Sequence, residues 1–385
     1  MEIMFDVLKN TGFASFTSID NLIMIIIGCI ALYLAIVKKY EPLLLLPIGF
    51  GVIAGNMPYP DGLPIGVYDT AEALGSTQSS VFSYIYAGVT NGLFPPLIFL
   101  GIGTLTDFSA LISSPKSLLL GAAAQFGIFG TFLGALMLGF SGQESAAIGI
   151  IGGADGPTSI FIASMLAPEL LGPIAIAAYS YMALVPVIQP PFMKILTTEK
   201  EKKIRMKAPR RVTKTEKIIF PIMAFILAGL IAPGSITLVG MLMLGNLLKE
   251  SGVTDRLAKS AGNALLDSAT ILLSFAVGAS TQADKFLTLK SLQIFGLGLA
   301  SFCVATVSGL LFAKFMNLFL KDKINPLIGA AGVSAVPDSA RVVHHFGLHY
   351  DKKNNLLMHA MAPNVSGVIG SAIAAGVFIS HYTTG

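Results

Sequence analysis

The chain has 385 residues, of which 54% are hydrophobic and only 12% are charged, and its mean hydropathy is +0.76. Ordinary soluble domains carry about 25% charged residues, so this composition excludes a soluble globular protein. The formal net charge of +4 does not indicate nucleic-acid binding, because the basic residues concentrate in one stretch of the chain instead of a folded face.

Many apolar runs approach the length of about 20 residues that crosses about 30 Å of hydrocarbon. We therefore predict an all-α polytopic membrane protein with about ten transmembrane helices. The clearest predicted spans, in chain order, are Leu22–Val37, Leu43–Ala54, Phe82–Gly101, Leu118–Phe140, Leu171–Ile195, Ile218–Ala232, Ile236–Leu248, Ala269–Phe286, Leu292–Phe319 and Leu356–Ile379. The second run is short and is expected to be tilted or re-entrant. Two prolines in Asn91–Pro96 interrupt the third, since proline breaks helices.

Two further apolar segments contain helix-breaking residues and are predicted to be re-entrant or discontinuous helices. The first broken segment covers residues 146–167 and includes Gly152-Gly153-Ala154-Asp155-Gly156-Pro157. The second broken segment covers residues 325–346 and includes Gly329, Gly332 and Pro337. Broken backbone at membrane depth is tolerated only where it is buried in protein or lines a wet cavity.

The two broken segments resemble each other in sequence at a spacing of 180 positions. The matched residues are Ile148, Gly149, Gly152, Ala154, Pro157 and Ser159 with Ile328, Gly329, Gly332, Ser334, Pro337 and Ser339. We predict two membrane repeats, residues 1–193 and 218–385, which are inverted if each crosses the membrane an odd number of times. Interrupted helices at corresponding positions of two repeats are typical of transporters.

Residues 194–217 form a basic linker between the predicted repeats. Its cations are Lys194, Lys200, Lys202, Lys203, Arg205, Lys207, Arg210, Arg211, Lys214 and Lys217. The positive-inside rule places this linker in the cytoplasm as a solvated loop. It could at the same time be a docking surface for an acidic partner subunit or for anionic lipid.

Asp155 is the most informative residue of the chain. A carboxylate at membrane depth costs about 2.5–3.5 kcal/mol on insertion scales, so it needs an ion, a proton or a counter-charge as a partner. It could simply cap the helix that follows it. We favour an ion or proton site, because serine would cap at lower cost and the neighbouring glycines free backbone carbonyls. Such hard oxygen ligands suit Na⁺.

Other polar residues near the breaks are weaker candidates. Arg341 lies three residues after Asp338 and can pair with it locally, or it can bind a carboxylate or oppose the cation. Tyr181 could anchor at the interface or could act as a proton donor or ligand. Asn325 and Ser334 offer neutral oxygens, although lone polar residues more often join helices. We expect the histidines around the second broken segment to lie in a loop at the membrane edge, namely His344, His345 and His349.

Four runs together resemble the β subunit of the sodium-pumping, biotin-dependent decarboxylases, and the resemblance covers nearly the whole chain. They are Gly152–Phe161, Tyr179–Pro191, Asn325–Val343 and His359–Gly376. That family includes oxaloacetate, methylmalonyl-CoA and glutaconyl-CoA decarboxylases, with malonate decarboxylase in a related form.

The resemblance implies a membrane subunit that decarboxylates carboxybiotin and uses the released free energy to export Na⁺, with uptake of a proton. It implies as partners a carboxyltransferase α subunit, a biotin carrier subunit that bears the biotin and a small single-span membrane subunit, with the chain itself forming a homo-oligomer in the inner membrane. The family's functional positions fall here on Asp155, Tyr181, Asn325, Gly329, Ser334 and Arg341.

Asp155 would then be a Na⁺ ligand, assisted by Asn325, Gly329 and Ser334. Tyr181, Ser334 and Arg341 would border a second ion or proton site and the approach of carboxybiotin, with Arg341 contacting its carboxylate. Two alternatives are a secondary Na⁺-coupled transporter without decarboxylation and a structural anchor for a soluble enzyme. The modest length favours an acyl-CoA system slightly over oxaloacetate.

Overall fold

The structure is a computed structural model that describes residues 11–16, 18–60, 63–74 and 79–383. Within these residues the chain contains helices and connecting segments but no strand. The longer helices of the first half are α1 (Ile19–Ile36), α2 (Pro42–Asn56), α3 (Val81–Thr90), α4 (Phe94–Leu105), α5 (Leu118–Ala124), α6 (Phe126–Met137), α7 (Gly142–Gly149), α8 (Gly156–Leu166), α9 (Leu171–Ala183) and α10 (Val185–Leu196).

The second half follows a loop that begins after the short helix Glu199–Lys202. Its longer helices are α11 (Lys214–Ile231), α12 (Ile236–Glu250), α13 (Leu266–Ser280), α14 (Leu289–Phe319), α15 (Asp338–Tyr350) and α16 (Leu357–Thr383). A short helix, Asp255–Ser260, and a widened turn, Ala261–Leu265, run directly into α13.

Five continuous helical stretches of the described chain are long and apolar enough to cross a membrane, and two bent pairs raise that number to seven. Helices α3 and α4 meet at 67°, and the stretch Pro168–Ala183 meets α10 at 60°. The first bend confirms the predicted interruption at Asn91–Pro96. The second divides the predicted span Leu171–Ile195. Prolines cause this division, because Pro186 lies in the first turn of α10 and Pro190 and Pro191 lie inside it.

The first broken segment is a helix, a tight turn and a second helix. Helix α7 begins with a capping box, in which the Ser141 hydroxyl accepts from the amide of Glu144 and the Glu144 carboxylate accepts from the amide of Ser141. A 3₁₀ turn over Ile150–Gly153 ends this helix, and Asp155 begins α8. We call residues 150–155 the first break.

The second broken segment has a different local structure. A 3₁₀ helix covers Pro326–Gly332, irregular backbone follows, and α15 begins at Asp338. We call the irregular residues 333–337 the second break. The expectation that His344, His345 and His349 lie in a loop is wrong, because they lie within α15. This helix forms since its apolar positions recur at helical spacing and bury one face, as at Val343 and Gly347.

The two broken segments lie inside the bundle, between the long helix α14 and the largely buried helix α16. Gly309 of α14 and Gly329 of the 3₁₀ helix allow the two backbones to touch, because a Cβ on either would collide with the other's carbonyl oxygen. Gly367 of α16 meets the carbonyl of Gly332 in the same way. These contacts fix the position of the second broken segment against α14 and α16.

Candidate ion site where the two breaks meet

Asp155 lies at the tip of the first break and is 5% exposed. Ala154 has a left-handed backbone (φ 54°), which turns the chain sharply before the helix begins. The Asp155 Oδ1 atom accepts from the amide of Thr158 at 3.2 Å, so the carboxylate does cap α8. Only the Oδ1 atom of the carboxylate caps the helix, so Oδ2 can bind another partner.

That second oxygen points to α16. The Ser371 hydroxyl donates to Asp155 Oδ2 at 2.6 Å, and the hydroxyl of Ser334 lies 3.3 Å from the Ser371 oxygen and can donate to it. The amide of Ser334 also donates to the carbonyl of Gly153 at 2.8 Å. The two breaks therefore touch directly, and α16 joins their side chains. Of the predicted site residues, the structure brings together Asp155 and Ser334.

Several buried oxygens around this contact have no hydrogen-bond partner within the described part of the chain. They are Thr158 Oγ1, the Tyr179 hydroxyl and Asn364 Oδ1. The amide of Asn364 donates to the carbonyls of Ala331 and Val333 at 3.0 and 2.8 Å, beside the second break. Buried polar atoms are almost always paired, so unpartnered oxygens beside Asp155 and beside the second break indicate room for a ligand that accepts their lone pairs.

The chemistry of these groups suits a hard monovalent cation. One carboxylate and several neutral oxygens are available, whereas three or more His, Cys, Asp or Glu side chains come together nowhere among the described residues. Hydroxyl, amide and carbonyl oxygens are the ligands that alkali and other hard cations prefer, and transition metals favour nitrogen and sulfur. The residues present therefore fit Na⁺.

Tyr181 lies on a different side of the first break. Its hydroxyl donates to the carbonyl of Phe295 at 2.5 Å, and its ring packs against Gly298 of α14. Ile151 of the first break contacts the same glycine. Tyr181 is thus a neighbour of the break, but no described hydrogen bond joins it to Asp155.

Asn325 lies at the start of the second broken segment, away from its tip. Its side-chain amide donates to the linker carbonyls of Lys202 and Ile204 at 2.9 and 3.0 Å, and its oxygen caps the amide of Leu327. The amide of Asn354, beyond α15, donates to the same Ile204 carbonyl at 3.0 Å. A 3₁₀ helix of this length is about 14 Å long, so Asn325 is not brought to Asp155.

Ion pairs strengthen the attachment of the basic linker. Arg205 binds both carboxylate oxygens of Asp351, and Lys207 pairs with Asp322 at 2.9 Å. These acids lie just before and just after the second broken segment. The linker is therefore tied to both flanks of that segment.

Arg341 pairs with Asp338 along one face of α15 at 3.4 Å, as the local interpretation of the sequence expected. Its side chain is still 61% exposed. It lines a groove of about 570 Å³ between α10 and α15. The guanidinium is therefore available to an anion in that groove.

Sequence analysis missed Ser371 and Tyr179 as site residues. Ser371 lies seven positions after Asn364, so both fall on one face of α16, but the sequence does not reveal that this face meets Asp155. Tyr179 lies beside the predicted Tyr181, and its ring packs on Gly156. The glycine next to Asp155 is thus the place where the ring of Tyr179 approaches the backbone.

Comparison with known proteins gives one consistent result. Residues 20–382 match the family described as the Na⁺-transporting oxaloacetate decarboxylase β subunit. The chain is 53% identical to the methylmalonyl-CoA decarboxylase β subunit of Propionigenium modestum, over 99% of this chain and 100% of that protein. It is 52% identical to the glutaconyl-CoA decarboxylase β subunit of Acidaminococcus fermentans (97% and 96%) and 49% identical to the oxaloacetate decarboxylase β chain of Klebsiella pneumoniae (93% and 94%).

These similarities confirm the resemblance inferred from the four sequence motifs, and they support a decarboxylase subunit over a secondary transporter without chemistry. The match extends over both broken segments, so the residues that meet at Asp155 belong to the matched region. The chain belongs to the family of β subunits of the Na⁺-transporting decarboxylases.

Proposed function

We propose that this chain decarboxylates carboxybiotin presented by a partner subunit and that it couples this reaction to Na⁺ export through Asp155. The observation that carries the proposal is the contact of the two breaks, where Ser371 joins Asp155 to Ser334. Movement of either broken segment would change the ligands available to an ion at Asp155. This is the arrangement that alternating access requires.

The ion site is proposed to consist of Asp155 with Ser371, Ser334 and the unpartnered oxygens of Thr158 and Asn364. Gly329 contributes through the close contact of its backbone with α14. Asn325 contributes by holding the linker to the second broken segment, and we no longer assign it as a direct ligand. Na⁺ reaches Asp155 from the cytoplasmic side and leaves on the other side.

The reaction site is proposed to be the groove between α10 and α15. Arg341 would bind the carboxylate of carboxybiotin, since an exposed guanidinium can form two parallel hydrogen bonds with it. Decarboxylation consumes a proton, which returns from the outside by way of Tyr181. Release of CO₂ then biases the protein towards the state in which Na⁺ can leave.

Two inverted repeats, residues 1–193 and 218–385, remain the proposed architecture, with about ten transmembrane helices. The flanks of the broken segments support it. Glu144 of the first broken region pairs with Lys290 at the start of α14, whereas Asn325 of the second contacts the linker. Lys314, near the other end of α14, also contacts the linker helix through Glu201. The segments thus begin at opposite ends of α14.

The proposed partners are a carboxyltransferase α subunit, a biotin carrier subunit and a small single-span membrane subunit, in an assembly with several copies of this chain. The biotin would be on the carrier, and the assembly would lie in the inner membrane with the linker in the cytoplasm. An acyl-CoA is the proposed substrate class. Identity is 52–53% to the two acyl-CoA relatives and 49% to the oxaloacetate relative, which supports this choice.

The test is an Asp155→Asn variant of the whole complex in sealed vesicles. The asparagine amide has the size of the aspartate carboxylate but no charge. Na⁺-stimulated decarboxylation and ²²Na⁺ uptake should therefore both fall to background. Glu144→Gln is the matched control, because Glu144 lies on the same broken region but pairs with Lys290. Undiminished Na⁺ transport by Asp155→Asn would refute the assignment.

A further inference from the structure

Two carboxyl groups that the proposed function does not use lie together at the inner end of the groove. The groove is lined by Pro186 and Pro190 of α10 and by Asp338, Arg341, His345 and Tyr350 of α15. Lys202 of the linker lies over the Tyr350 ring, which marks the linker end. Asp338 begins α15 and therefore marks the opposite, inner end.

Glu41 lies in the loop between α1 and α2 and interacts with Asp338 at this end, behind the residues that line the groove. Its backbone is left-handed (φ 39°, ψ 58°), which is uncommon for a residue with a side chain and folds the loop back on the bundle. Its carboxyl group lies within hydrogen-bonding reach of Asp338. Two carboxyl groups can share a hydrogen bond only if one of them holds a proton.

The surroundings of Glu41 favour its protonated form. Burial raises the pKa of Glu41 to about 7, and the charge of Asp338 and the hydrogen bond with it act in the same direction. Arg341 opposes the shift, but it is largely exposed and already paired with Asp338. Glu41 therefore releases its proton near neutral pH, where a general acid is most effective.

Tyr179 places this pair in relation to the ion site. Its hydroxyl is buried without a hydrogen-bond partner in the described structure, and it lies within electrostatic reach of both Asp155 and Glu41. The groove also holds Arg341 and, one helical turn further along, His345, and the loop that carries Glu41 also carries Lys38 and Lys39. A change of charge at Glu41 therefore acts on the same hydroxyl that interacts with Asp155.

We propose that Glu41 and Asp338 share one proton and deliver it to carboxybiotin in the decarboxylation step. The inference rests on the proposed function. The bond between the ureido nitrogen and the carboxylate carbon breaks, CO₂ leaves, and the electron pair that stays on nitrogen takes the proton. The pair is left fully ionised beside Arg341 and recovers a proton before the next turnover.

The experiment uses Glu41→Gln and Asp338→Asn in the complete decarboxylase complex, with rates measured between about pH 5.5 and 8.5. The protonated pair is the active form, so the unmodified complex should lose activity as the pH rises through about 7. Each variant should lose about 10²- to 10⁴-fold in rate, which is the usual contribution of a general acid, and Glu41→Gln should lose the decline near neutral pH. Glu41→Asp should keep part of the rate and part of the decline near neutral pH.

Direct ²²Na⁺ binding distinguishes a chemical role from a structural one, and Asp20→Asn, an exposed acid at the start of α1, is the control. We expect all variants to bind Na⁺. Unmodified rates and pH profiles in both variants would overturn the proposal, as would a loss of rate that is accompanied by lost Na⁺ binding. Failure of the ion-site assignment appears separately, because it is tested by Asp155→Asn and Ser371→Ala and not by the variants of the carboxyl pair.

Discussion

The amide of Ser334 donates a hydrogen bond to the carbonyl of Gly153 at 2.8 Å, across 181 positions of sequence. This bond joins the tips of two broken segments that approach each other from different parts of the bundle. Main-chain atoms make the contact, so side-chain substitution cannot remove it directly. Its neighbours Asp155, Ser371 and Ser334 then decide what the contact can bind.

Replacing Ser371 with alanine should weaken Na⁺ binding without abolishing assembly. The hydroxyl donates to the charged Asp155, and a hydrogen bond to a charged group contributes about 1.5–3 kcal/mol. The Na⁺ concentration for half-maximal decarboxylation should therefore rise at least about tenfold. Ser366→Ala is the control on the same helix, because that hydroxyl donates to the carbonyl of Leu118, away from Asp155. Equal Na⁺ dependence in both variants would contradict the prediction.

Tyr179→Phe should separate function from stability. The Tyr179 hydroxyl is buried without a described partner, so its removal leaves no unpaired group and should keep or raise the melting temperature. If the hydroxyl serves the ion or proton path, the rate of coupled Na⁺ transport should nevertheless fall. Tyr181→Phe provides the comparison, since it removes a bond to the carbonyl of Phe295 and should lower stability by about 0.5–1.5 kcal/mol. Unchanged transport in Tyr179→Phe would exclude its hydroxyl from the mechanism.

Gly329→Ala should destabilise the protein itself. The added methyl group would collide with the carbonyl of Gly309, and this backbone contact has no flexible side chain that could yield. Overpacking of this kind costs about 1–3 kcal/mol, so the melting temperature of the purified chain in detergent should fall. Gly296→Ala lies on the same helix as Gly309 and meets open space, so it should have no such effect. Equal melting temperatures would show that the two backbones can separate.

Asn325→Ala should release the linker. The Asn325 side chain donates hydrogen bonds to the carbonyls of Lys202 and Ile204. In the variant, Asn354 still donates to the carbonyl of Ile204, but the bond to Lys202 is lost. Trypsin should then cleave faster after Lys203 and Arg205, because local opening exposes these bonds. Asn91→Ala is the control, since that amide donates within its own helix. Cleavage at the unmodified rate would contradict an anchoring role for Asn325.

The sequence predicts the positions of the two breaks better than the packing around them. The repeat aligned Ala154 with Ser334, and in the structure Ser334 contacts Gly153, the neighbour of Ala154. Local rules were sufficient there, since glycine, proline and a capping aspartate determine where a helix ends. The bend between α3 and α4 was predicted for the same reason.

The other contacts of the site depend on tertiary packing, which local sequence patterns do not reveal. Ser371 lies in an ordinary apolar helix, and only the placement of α16 brings it to Asp155. Asn325 was grouped with the ion ligands, although its partners lie in a linker more than a hundred positions earlier. Helix α10 departs from the predicted straight span because Pro186 begins a new helix instead of continuing α9.

The carbonyl of Ile204 accepts from both Asn325 and Asn354, which stand on either side of the second broken segment. A single peptide unit of the linker therefore binds residues at both ends of that segment. If this segment moves during transport, the linker must move with it. A protein that binds the linker from outside the membrane would therefore stop the transport cycle at one stage. The ion gate could then be controlled from the aqueous phase without any ligand reaching Asp155.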